Sequence, residues 1–344
     1  MSLTFDVFVI LVTYDHSCLC CLLYRKVVHQ ERINIHFHHT SQKMQDQEGD
    51  VVNVEKETLM SAQASKDDEW TKIRDDDIMQ QHSAIQAEEA LKIPFVGDKE
   101  PLSSLHAEYQ LGSPILLQKI KVLSEQCAAI RRTRGDGNCF FRSFMFAYLE
   151  HILNSQDQVE VQRVKADIEG CKKTLLCLGY AEFTFEDFFA LFIEQLDSVL
   201  QGSEDSISHD ELLQRSRDPS VSDYVVMFLR FVTSGEIRKR SEFFEPFILG
   251  LMNASVKQFC KSSVEPMGEE SDHVHITALS DALGVPVRVV YLDRSSCENS
   301  SINLNHHDFV PGSGNVGNNG DSESINPFIT LLYRPGHYDV LYPK

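Results

Sequence analysis

A cysteine, a histidine and a carboxylate occur in two short motifs that together can perform acyl transfer. Cys139 stands between the polar segment 134–138 and an apolar run that begins at Phe140. His337 and Asp339 lie near the end of the chain, two residues apart. A thiol, an imidazole and an orienting carboxylate are the minimum set for nucleophilic attack on a carbonyl. Cys139 alone is weak support for this chemistry, because the chain contains nine cysteines. A lone His-x-Asp motif is equally weak support.

The polar residues before Cys139 predict a tight loop that leads into a helix. Gly135 and Gly137 permit backbone geometry closed to other residues, and Asp136 and Asn138 readily bond to nearby main chain. At a helix N-terminus, unpaired N–H groups and the helix dipole favour thiolate over thiol. The apolar residues behind the cysteine fall at helical spacing and predict a helix buried on two adjoining stripes. They are Phe140, Phe141, Phe144, Met145, Tyr148, Leu149 and Ile152.

The motif Arg-Pro-Gly-His-Tyr-Asp at 334–339 predicts a turn followed by a strand. Residues two apart in a strand project from the same face. The carboxylate of Asp339 can therefore hold the imidazole of His337 in the tautomer that accepts a proton from a thiol.

Length and charge limit the classes of function. A chain of 344 residues with 42% hydrophobic content can bury a large core, in one large or two modest domains. The formal net charge of −19 disfavours nucleic acid as a partner and favours partners with a basic face. The nine cysteines are odd in number and mostly scattered, which favours free thiols in a reducing compartment.

Residues 1–43 differ in character from the rest of the chain. The run 5–24 is apolar enough to suggest a signal peptide or membrane anchor, but acidic residues interrupt it and no basic region precedes it. We expect no membrane segment, and we interpret 1–43 as an alternative or non-native leader before a start at Met44. Two alternatives stay open: lipidation of Cys18, Cys20 or Cys21, and metal binding by His36, His38 and His39.

An acidic arm follows the leader. Between residues 44 and 90 there are 13 acidic and four basic residues, a local balance of −9. This composition predicts a largely disordered arm over 44–74. A helix is predicted within 75–100, because three aspartates can cap it and Pro94 can stop it. The globular catalytic domain is then expected over 101–344.

Apolar spacing predicts further helices and strands in this domain. The helices are expected at 115–123, 184–199 and 223–232, and the strands at 286–292, 328–333 and 337–341. Thr184 and Asp187 resemble a capping box at the start of the second helix. In the third helix we expect Tyr224, Val225, Phe228, Leu229 and Val232 to face the core. The Asn-, Gly- and His-rich segment 303–320 predicts a flexible loop. Helices first and strands later favour an α+β fold of three α/β/α-like layers around a small central sheet.

The two catalytic motifs resemble a known pair. Asp-Gly-Asn-Cys at 136–139 followed by Phe-Phe-Arg, with the terminal motif 334–339, is similar to the otubain branch of the OTU (ovarian tumour domain) cysteine proteases, which remove ubiquitin. Further matching segments lie at 222–224, 233–235, 243–245, 264–267 and 270–276, so that the resemblance covers roughly 75–344. The chain departs from the pattern at Gly135, where animal otubains usually have proline, and at a Gly/Asn-rich insert over 311–325.

The resemblance implies a papain-like OTU domain and a ubiquitinyl hydrolase activity. Cys139 would be the nucleophile, His337 the base and Asp339 the group that orients it. Asp136 matches a family position at the active site, and we expect it to shape the loop and help stabilise the oxyanion, together with backbone N–H groups from Gly135 to Cys139. This chemistry requires neither a metal nor an organic cofactor.

The resemblance also implies partners and a location. Ubiquitin, polyubiquitin chains and ubiquitin-conjugating enzymes are the expected partners, in the cytoplasm and nucleus. The ubiquitin-binding surface is expected to include Phe243, Phe244, Phe247, Glu265, His273 and His275. Two other functions stay open from the residues alone. One is a regulator that binds ubiquitin or a conjugating enzyme without cleavage, and the other is a cysteine peptidase with a different substrate.

Overall fold

The computed structural model describes residues 88, 92–110, 112–202, 206–294, 304–312 and 326–344. The predicted leader and acidic arm lie outside these ranges, as do nearly all of the predicted N-terminal helix and most of the insert. The helices within the described ranges are too short or too polar to cross a membrane.

A six-stranded sheet forms the centre of the described chain. Its strands are β1 (Val96–Pro101), β2 (Cys127–Thr133), β3 (Val287–Tyr291), β4 (Asn305–Phe309), β5 (Ile329–Arg334) and β6 (His337–Pro343). They are arranged in the order β1-β2-β6-β5-β3-β4. All neighbouring pairs are antiparallel except β3 and β5, which are parallel. The strand that leads to Cys139 is therefore next to the strand that begins with His337.

Helices cover both faces of the sheet. They are α1 (Ser103–Glu108), α2 (Pro114–Gln126), α3 (Cys139–Ser155), α4 (Gln158–Cys177), α5 (Glu186–Ser198), α6 (His209–Arg217), α7 (Pro219–Lys239), α8 (Ser241–Met252), α9 (Val256–Phe259) and α10 (His273–Leu283). A short 3₁₀ turn, Glu182–Thr184, precedes α5, and a π-helical turn, Cys260–Val264, continues α9.

The smaller helical layer consists of α1 and α2. Leu116, Ile120 and Leu123 recur at helical spacing on α2 and are buried. They pack with Ile130 of β2 and Leu332 of β5 in one apolar cluster. This layer therefore packs against β2, which leads to Cys139, and against β5, which leads to the turn before His337.

The larger layer is organised around α7, which contacts α3, α4, α5 and α10. Asp218 caps α7 by accepting a hydrogen bond from the N–H of Ser220, and Pro219 occupies its first turn. Phe228 is buried and stacks on Phe192 of α5 with ring centroids 4.2 Å apart. The two helical layers enclose the sheet, which confirms the expected three-layer α+β fold.

The structure corrects several local predictions. Thr184 does not cap α5, because it lies in the 3₁₀ turn and Phe185 precedes the helix without a side-chain cap. Tyr224 does not face the core. It is 43% exposed and packs edge-on against Phe188. Strand β1 shows that the sheet begins at Val96, before the expected domain start at residue 101.

Part of the predicted loop 303–320 is strand β4. Composition favoured a loop because Asn and Gly are depleted in strands, but β4 pairs residue by residue with β3 at the edge of the sheet. Arg288 and Asp308 support this pairing through two hydrogen bonds of 2.7 Å each. Tertiary contacts therefore override local composition here.

Candidate active site

Cys139 is the first residue of α3, one short loop after the end of β2. Only 4% of the residue is exposed. The helix predicted behind the cysteine is confirmed, and its apolar stripes are buried. Because the first N–H groups of a helix have no acceptor within it, the N–H of Cys139 is available to a substrate oxygen.

The loop before Cys139 is shaped by Asp136 and by a close backbone contact. One carboxylate oxygen of Asp136 accepts a 3.0 Å hydrogen bond from the N–H of Asn138, and the other accepts one of 2.9 Å from Arg142. Gly137 has a φ of +74°, and a Cβ there would lie 1.8 Å from the carbonyl oxygen of Gly268. Conformation and space therefore both require glycine at position 137.

Arg142 joins this loop to the larger helical layer. It is buried, and it donates hydrogen bonds to the hydroxyl of Ser222 and, over 2.8 Å, to a carboxylate oxygen of Asp223. Its guanidinium lies 3.7 Å from the centre of the Phe95 ring. The geometry agrees with loop shaping by Asp136, whereas its contribution to oxyanion stabilisation stays a prediction.

The base is presented by the hairpin of β5 and β6. Pro335 and Gly336 form the turn, and Gly336 has the positive φ of +79° that suits glycine. Arg334 then pairs with His337, which opens β6. Nε2 of His337 lies 2.9 Å from Oδ1 of Asp339, as expected for two residues on the same face of a strand.

Pairing of β2 with β6 brings the base to the nucleophile. The N–H of Thr133, at the end of β2, donates a 3.0 Å hydrogen bond to Oδ1 of Asp339. His337 is thereby placed close enough to Cys139 for the cysteine to contribute to the raised pKa of the imidazole. A Cβ on Gly135 would lie 3.6 Å from Nδ1 of His337, so the loop lines this edge of the imidazole. The structure thus brings the three predicted catalytic side chains together.

Asp339 is fully buried and its carboxylate is surrounded by donors. Oδ1 faces His337 and Thr133, while Oδ2 accepts hydrogen bonds of 3.0 and 2.7 Å from Nε and Nη2 of Arg334. Burial opposes ionisation, but the bond to His337 and the charge of Arg334 hold the pKa of Asp339 below its usual value. The carboxylate is therefore charged and fixed in orientation.

His337 is held in its protonated form. Burial lowers its pKa, but the interactions with Asp339 and with Cys139 raise it to about 9. The imidazole is then mostly an imidazolium at neutral pH. An imidazolium next to the cysteine can stabilise a thiolate and later protonate a leaving amine.

The residues expected to bind ubiquitin do not form one exposed surface. Phe243 and Phe247 are exposed on α8, with ring centroids 5.7 Å apart. Phe244 between them is 1% exposed and belongs to an apolar cluster beneath the helix, so its ring is core and not surface.

Glu265 and His275 are also buried and act within the fold. Glu265 accepts a 2.8 Å hydrogen bond from Ser234 and pairs with Lys261. His275 contacts Asp272 at the start of α10, and its Nε2 lies 3.1 Å from the carbonyl oxygen of Ser263. These contacts order the loop before α10, so His275 acts within the fold and not on a binding surface.

His273 is half-buried at the start of α10. Its Nε2 lies 2.9 Å from the hydroxyl of Tyr291, and the two rings are stacked. Burial lowers the pKa of His273 in spite of the nearby charge of Asp272. In the described part of the chain, no group of three or more His, Cys, Asp or Glu residues is placed to hold a metal ion.

Sequence reasoning missed three arginines and a threonine that build the site. Arg142 and Arg334 lie within the recognised motifs, but neither was given a role. Arg230 interrupts the apolar run of α7, and a charge at such a position is a signal of a buried contact. Thr133 carried no such signal, because its contact uses the backbone N–H and depends on which strands pair.

The class of protein follows from how these groups are held. A buried helix presents the cysteine, and a neighbouring strand of the sheet presents a histidine that an aspartate keeps protonated. Papain-like cysteine peptidases combine a thiol with an imidazole in this way.

The chain belongs to the otubain family of these peptidases. The profile described as Peptidase C65 Otubain matches residues 88–343. The OVARIAN TUMOR DOMAIN-containing deubiquitinating enzyme 1 of Arabidopsis thaliana is 67% identical over 86% of this chain and 95% of that protein. Ubiquitin thioesterase OTUB1 of Homo sapiens is 43% identical over 78% of this chain and 90% of that protein.

A solved structure agrees with this assignment. The fold is similar to OTUB1 in the complex of h/ceOTUB1 with ubiquitin aldehyde and UBCH5B~Ub. The TM-score is 0.67 and the identity 36%, over 78% of this chain and 98% of that chain.

Proposed function

We propose that this protein is a deubiquitinating cysteine peptidase that hydrolyses isopeptide bonds at the C-terminal glycine of ubiquitin. The observation that carries the proposal is that the pairing of β2 with β6 places His337, oriented by Asp339, beside the loop that leads to Cys139 at the start of α3. The substrate class is supported by the relatives, which are named as ubiquitin thioesterases and a deubiquitinating enzyme.

In the first half of the reaction, the thiolate of Cys139 attacks the carbonyl carbon of the C-terminal glycine. The N–H of Cys139 donates to the oxyanion that forms, whereas the N–H of Asn138 is already bonded to Asp136. His337 gives its Nδ1 proton to the leaving lysine amine. The carbon–nitrogen bond breaks and a thioester to Cys139 remains.

In the second half, water attacks the thioester and His337 accepts a proton from that water. The carbon–sulfur bond breaks, ubiquitin leaves with a free carboxylate, and the cysteine returns as a thiolate beside an imidazolium. Asp339 holds Nε2 throughout and stays ionised, since Arg334 and Thr133 stabilise its charge.

The exposed pair Phe243 and Phe247 is the apolar surface that we assign to ubiquitin. Two neighbouring aromatic rings on one helix give contact area with little loss of side-chain entropy. The net charge of −19 suits a ubiquitin face that is basic around an apolar patch. Phe243→Ala with Phe247→Ala is expected to raise KM for ubiquitin substrates about tenfold, since hot-spot residues contribute at least 1–2 kcal/mol. Phe183→Ala, at an exposed phenylalanine on another turn, should leave KM unchanged.

Ubiquitin-conjugating enzymes are partners of the same domain. The similar OTUB1 chains were solved with ubiquitin aldehyde and UBCH5B~Ub or UBC13~Ub. Binding of such an enzyme would let the protein restrain ubiquitin transfer without cleavage. Inhibition of transfer that persists in Cys139→Ala would support this second activity. We place both activities in the cytoplasm and nucleus, where free thiols persist.

The test of the main proposal is reaction with ubiquitin that carries a thiol-reactive C-terminal warhead, followed by mass spectrometry of the adduct. The expected adduct is on Cys139, absent in Cys139→Ala and slower to form in His337→Ala. Cys177→Ala is the matched control, because Cys177 is an exposed free thiol away from this site. This control variant should react like the unaltered protein.

Two outcomes would contradict the proposal. An adduct on Cys177 in place of Cys139 would mean that the probe reports thiol exposure alone. Rapid alkylation of Cys139 by iodoacetamide with no reaction with the ubiquitin probe would show a reactive cysteine whose substrate is not ubiquitin.

A further inference from the structure

Arg230 is a buried cation that the proposed mechanism does not use. It lies in the middle of α7 and is fully inaccessible to solvent. Its guanidinium lies 4.7 Å from the centre of the Phe141 ring. Phe141 is in the first turn of α3, as is Cys139. Burying a charge is costly unless donors find acceptors, so the contacts of this side chain indicate why it is there.

The hydrogen-bond acceptors of Arg230 are neutral oxygens in the loop before Cys139 and in the segment 264–269. Nη2 donates to the carbonyl of Gly137 over 3.1 Å and to Oδ1 of Asn138 over 2.7 Å. It also donates to the carbonyl of Glu269 over 2.8 Å, and Nη1 donates to that of Val264 over 2.9 Å. One guanidinium thus ties the cysteine loop to the segment 264–269.

The same two loops meet directly. The N–H of Gly268 donates a 3.0 Å hydrogen bond to Oδ1 of Asn138, the oxygen that also faces Arg230. Gly137 and Gly268 are packed so closely that no side chain at position 137 fits between the two loops. The peptide unit between Gly137 and Asn138 is therefore held from α7 through its carbonyl and through the side chain of Asn138.

This peptide unit immediately precedes the reacting residue. Rotation of the Gly137–Asn138 unit would turn the N–H and Sγ of Cys139 away from a substrate carbonyl. The charge of Arg230 also acts on Cys139 electrostatically, because a thiolate there favours the charged guanidinium. A lysine would keep the charge but not the planar fork, which serves several acceptors at fixed angles.

From these contacts we infer that Arg230 is a positioning residue for catalysis: it locks the loop before Cys139 in the conformation that aims the Cys139 N–H at the oxyanion. The inference rests on the peptidase activity proposed above. It assigns the structure of the oxyanion site to a side chain of α7, outside both catalytic motifs.

The experiment compares Arg230→Met, Arg230→Lys and Asn138→Ala with the unaltered protein. The substrate is ubiquitin with a C-terminal fluorogenic amide, and the readouts are kcat, KM, inhibition by ubiquitin aldehyde and alkylation of Cys139 by iodoacetamide. Arg131→Met is the matched control. Arg131 is also buried, bonds to the carbonyl of Gly97 and stacks on an aromatic ring, but it contacts neither loop.

We expect Arg230→Met to lower kcat by about 10²–10³-fold, as for the loss of an oxyanion donor, with KM within about threefold of its original value. Inhibition by ubiquitin aldehyde should weaken in parallel, because its adduct places an oxygen at the oxyanion position. Alkylation by iodoacetamide forms no oxyanion and should slow much less. Arg230→Lys should recover only part of kcat.

The double variant Arg230→Met with Asn138→Ala tests whether the two residues act as one unit. The kcat of the double variant should be no lower than that of the less active of the two single variants. The inference is overturned if the losses multiply, if Arg230→Met retains kcat, or if kcat, aldehyde inhibition and alkylation all fall by the same factor in Arg230→Met. Arg131→Met should retain all three. If instead the unaltered protein does not cleave the substrate, the proposed function itself fails.

Discussion

Replacement of Asp339 by asparagine should change the pH dependence of the reaction in a defined direction. Burial alone would lower the pKa of His337 from its ordinary value of 6.5, but the interactions with Asp339 and with Cys139 raise it to about 9. Asparagine removes the charge and leaves Glu108 as the carboxylate partner of Arg334. The pKa of His337 should therefore fall toward its ordinary value.

The size of the effect follows from the fraction of imidazolium. At pH 8, a pKa of 9 leaves about nine-tenths of His337 protonated, and a pKa of 6.5 leaves about 3%, a difference of about 30-fold. At pH 6 the two fractions differ by less than about twofold. Loss of orientation lowers the rate at every pH, so the extra loss between pH 6 and pH 8, about 20-fold, reports the protonation of His337 alone.

The pH dependence of folding stability should also reflect the raised pKa of His337. Because the pKa of His337 is higher in the folded protein than in the unfolded chain, its stabilisation is complete below about pH 6.5 and is lost as the pH rises through about 9. The shift corresponds to about 3 kcal/mol of unfolding free energy. Asp339→Asn should remove most of this alkaline slope.

The assay is kcat/KM for ubiquitin with a C-terminal fluorogenic amide between pH 5.5 and 10, with urea unfolding over the same range. Asp308→Asn is the matched control, since Arg288 holds Asp308 through two points as Arg334 holds Asp339, but on β3 and β4 away from the cysteine. If the alkaline decline of kcat/KM stays near pH 9 in Asp339→Asn, the reasoning is refuted. An equal shift in Asp308→Asn would also refute it.

Three further substitutions test the packing around the site. Gly137→Ala should abolish measurable turnover, because the new Cβ would overlap the carbonyl of Gly268 at a φ of +74°, and a fluorogenic ubiquitin substrate would show this. Gly170→Ala should raise the unfolding free energy by roughly 0.5–1 kcal/mol in urea titration without changing kcat, since nothing lies within 4 Å of its added Cβ and helices favour alanine. Phe228→Ala should lower the unfolding free energy by about 3–5 kcal/mol in the same titration, because the buried ring stacks on Phe192. An active Gly137→Ala, a destabilised Gly170→Ala or a neutral Phe228→Ala would each contradict the packing described.

Local chemistry made the three reacting groups predictable from the sequence. The glycines and polar residues before Cys139 specify a loop and a helix start, and a two-residue interval in a strand specifies that His337 and Asp339 share a face. These predictions depend only on residue types and their spacing. The contact between the two motifs was implied only by resemblance, because nothing local to either motif requires β2 to pair with β6.

The supporting groups could not be predicted in this way, since their roles depend on long-range packing. Phe243, Phe244 and Phe247 are alike in sequence, yet one faces the core and two face solvent because helical rotation separates them. Strand β4 exists only because β3 offers it an edge. Arg230 was detectable as a charge within an apolar helix, but its acceptors lie in loops 30 or more residues away along the chain.

Two arginines stabilise the site, and they bond to different kinds of acceptor. Arg334 pairs with the carboxylate of Asp339 and helps to keep that carboxylate ionised beside His337. Arg230 bonds to neutral oxygens, so it sets the shape of the loop before Cys139. Loss of the first should therefore appear mainly as a displaced pH profile, and loss of the second as a lower kcat at every pH. A variant at either position that shows the other's signature would mean that the orientation of the base and the shape of the oxyanion loop are not independent.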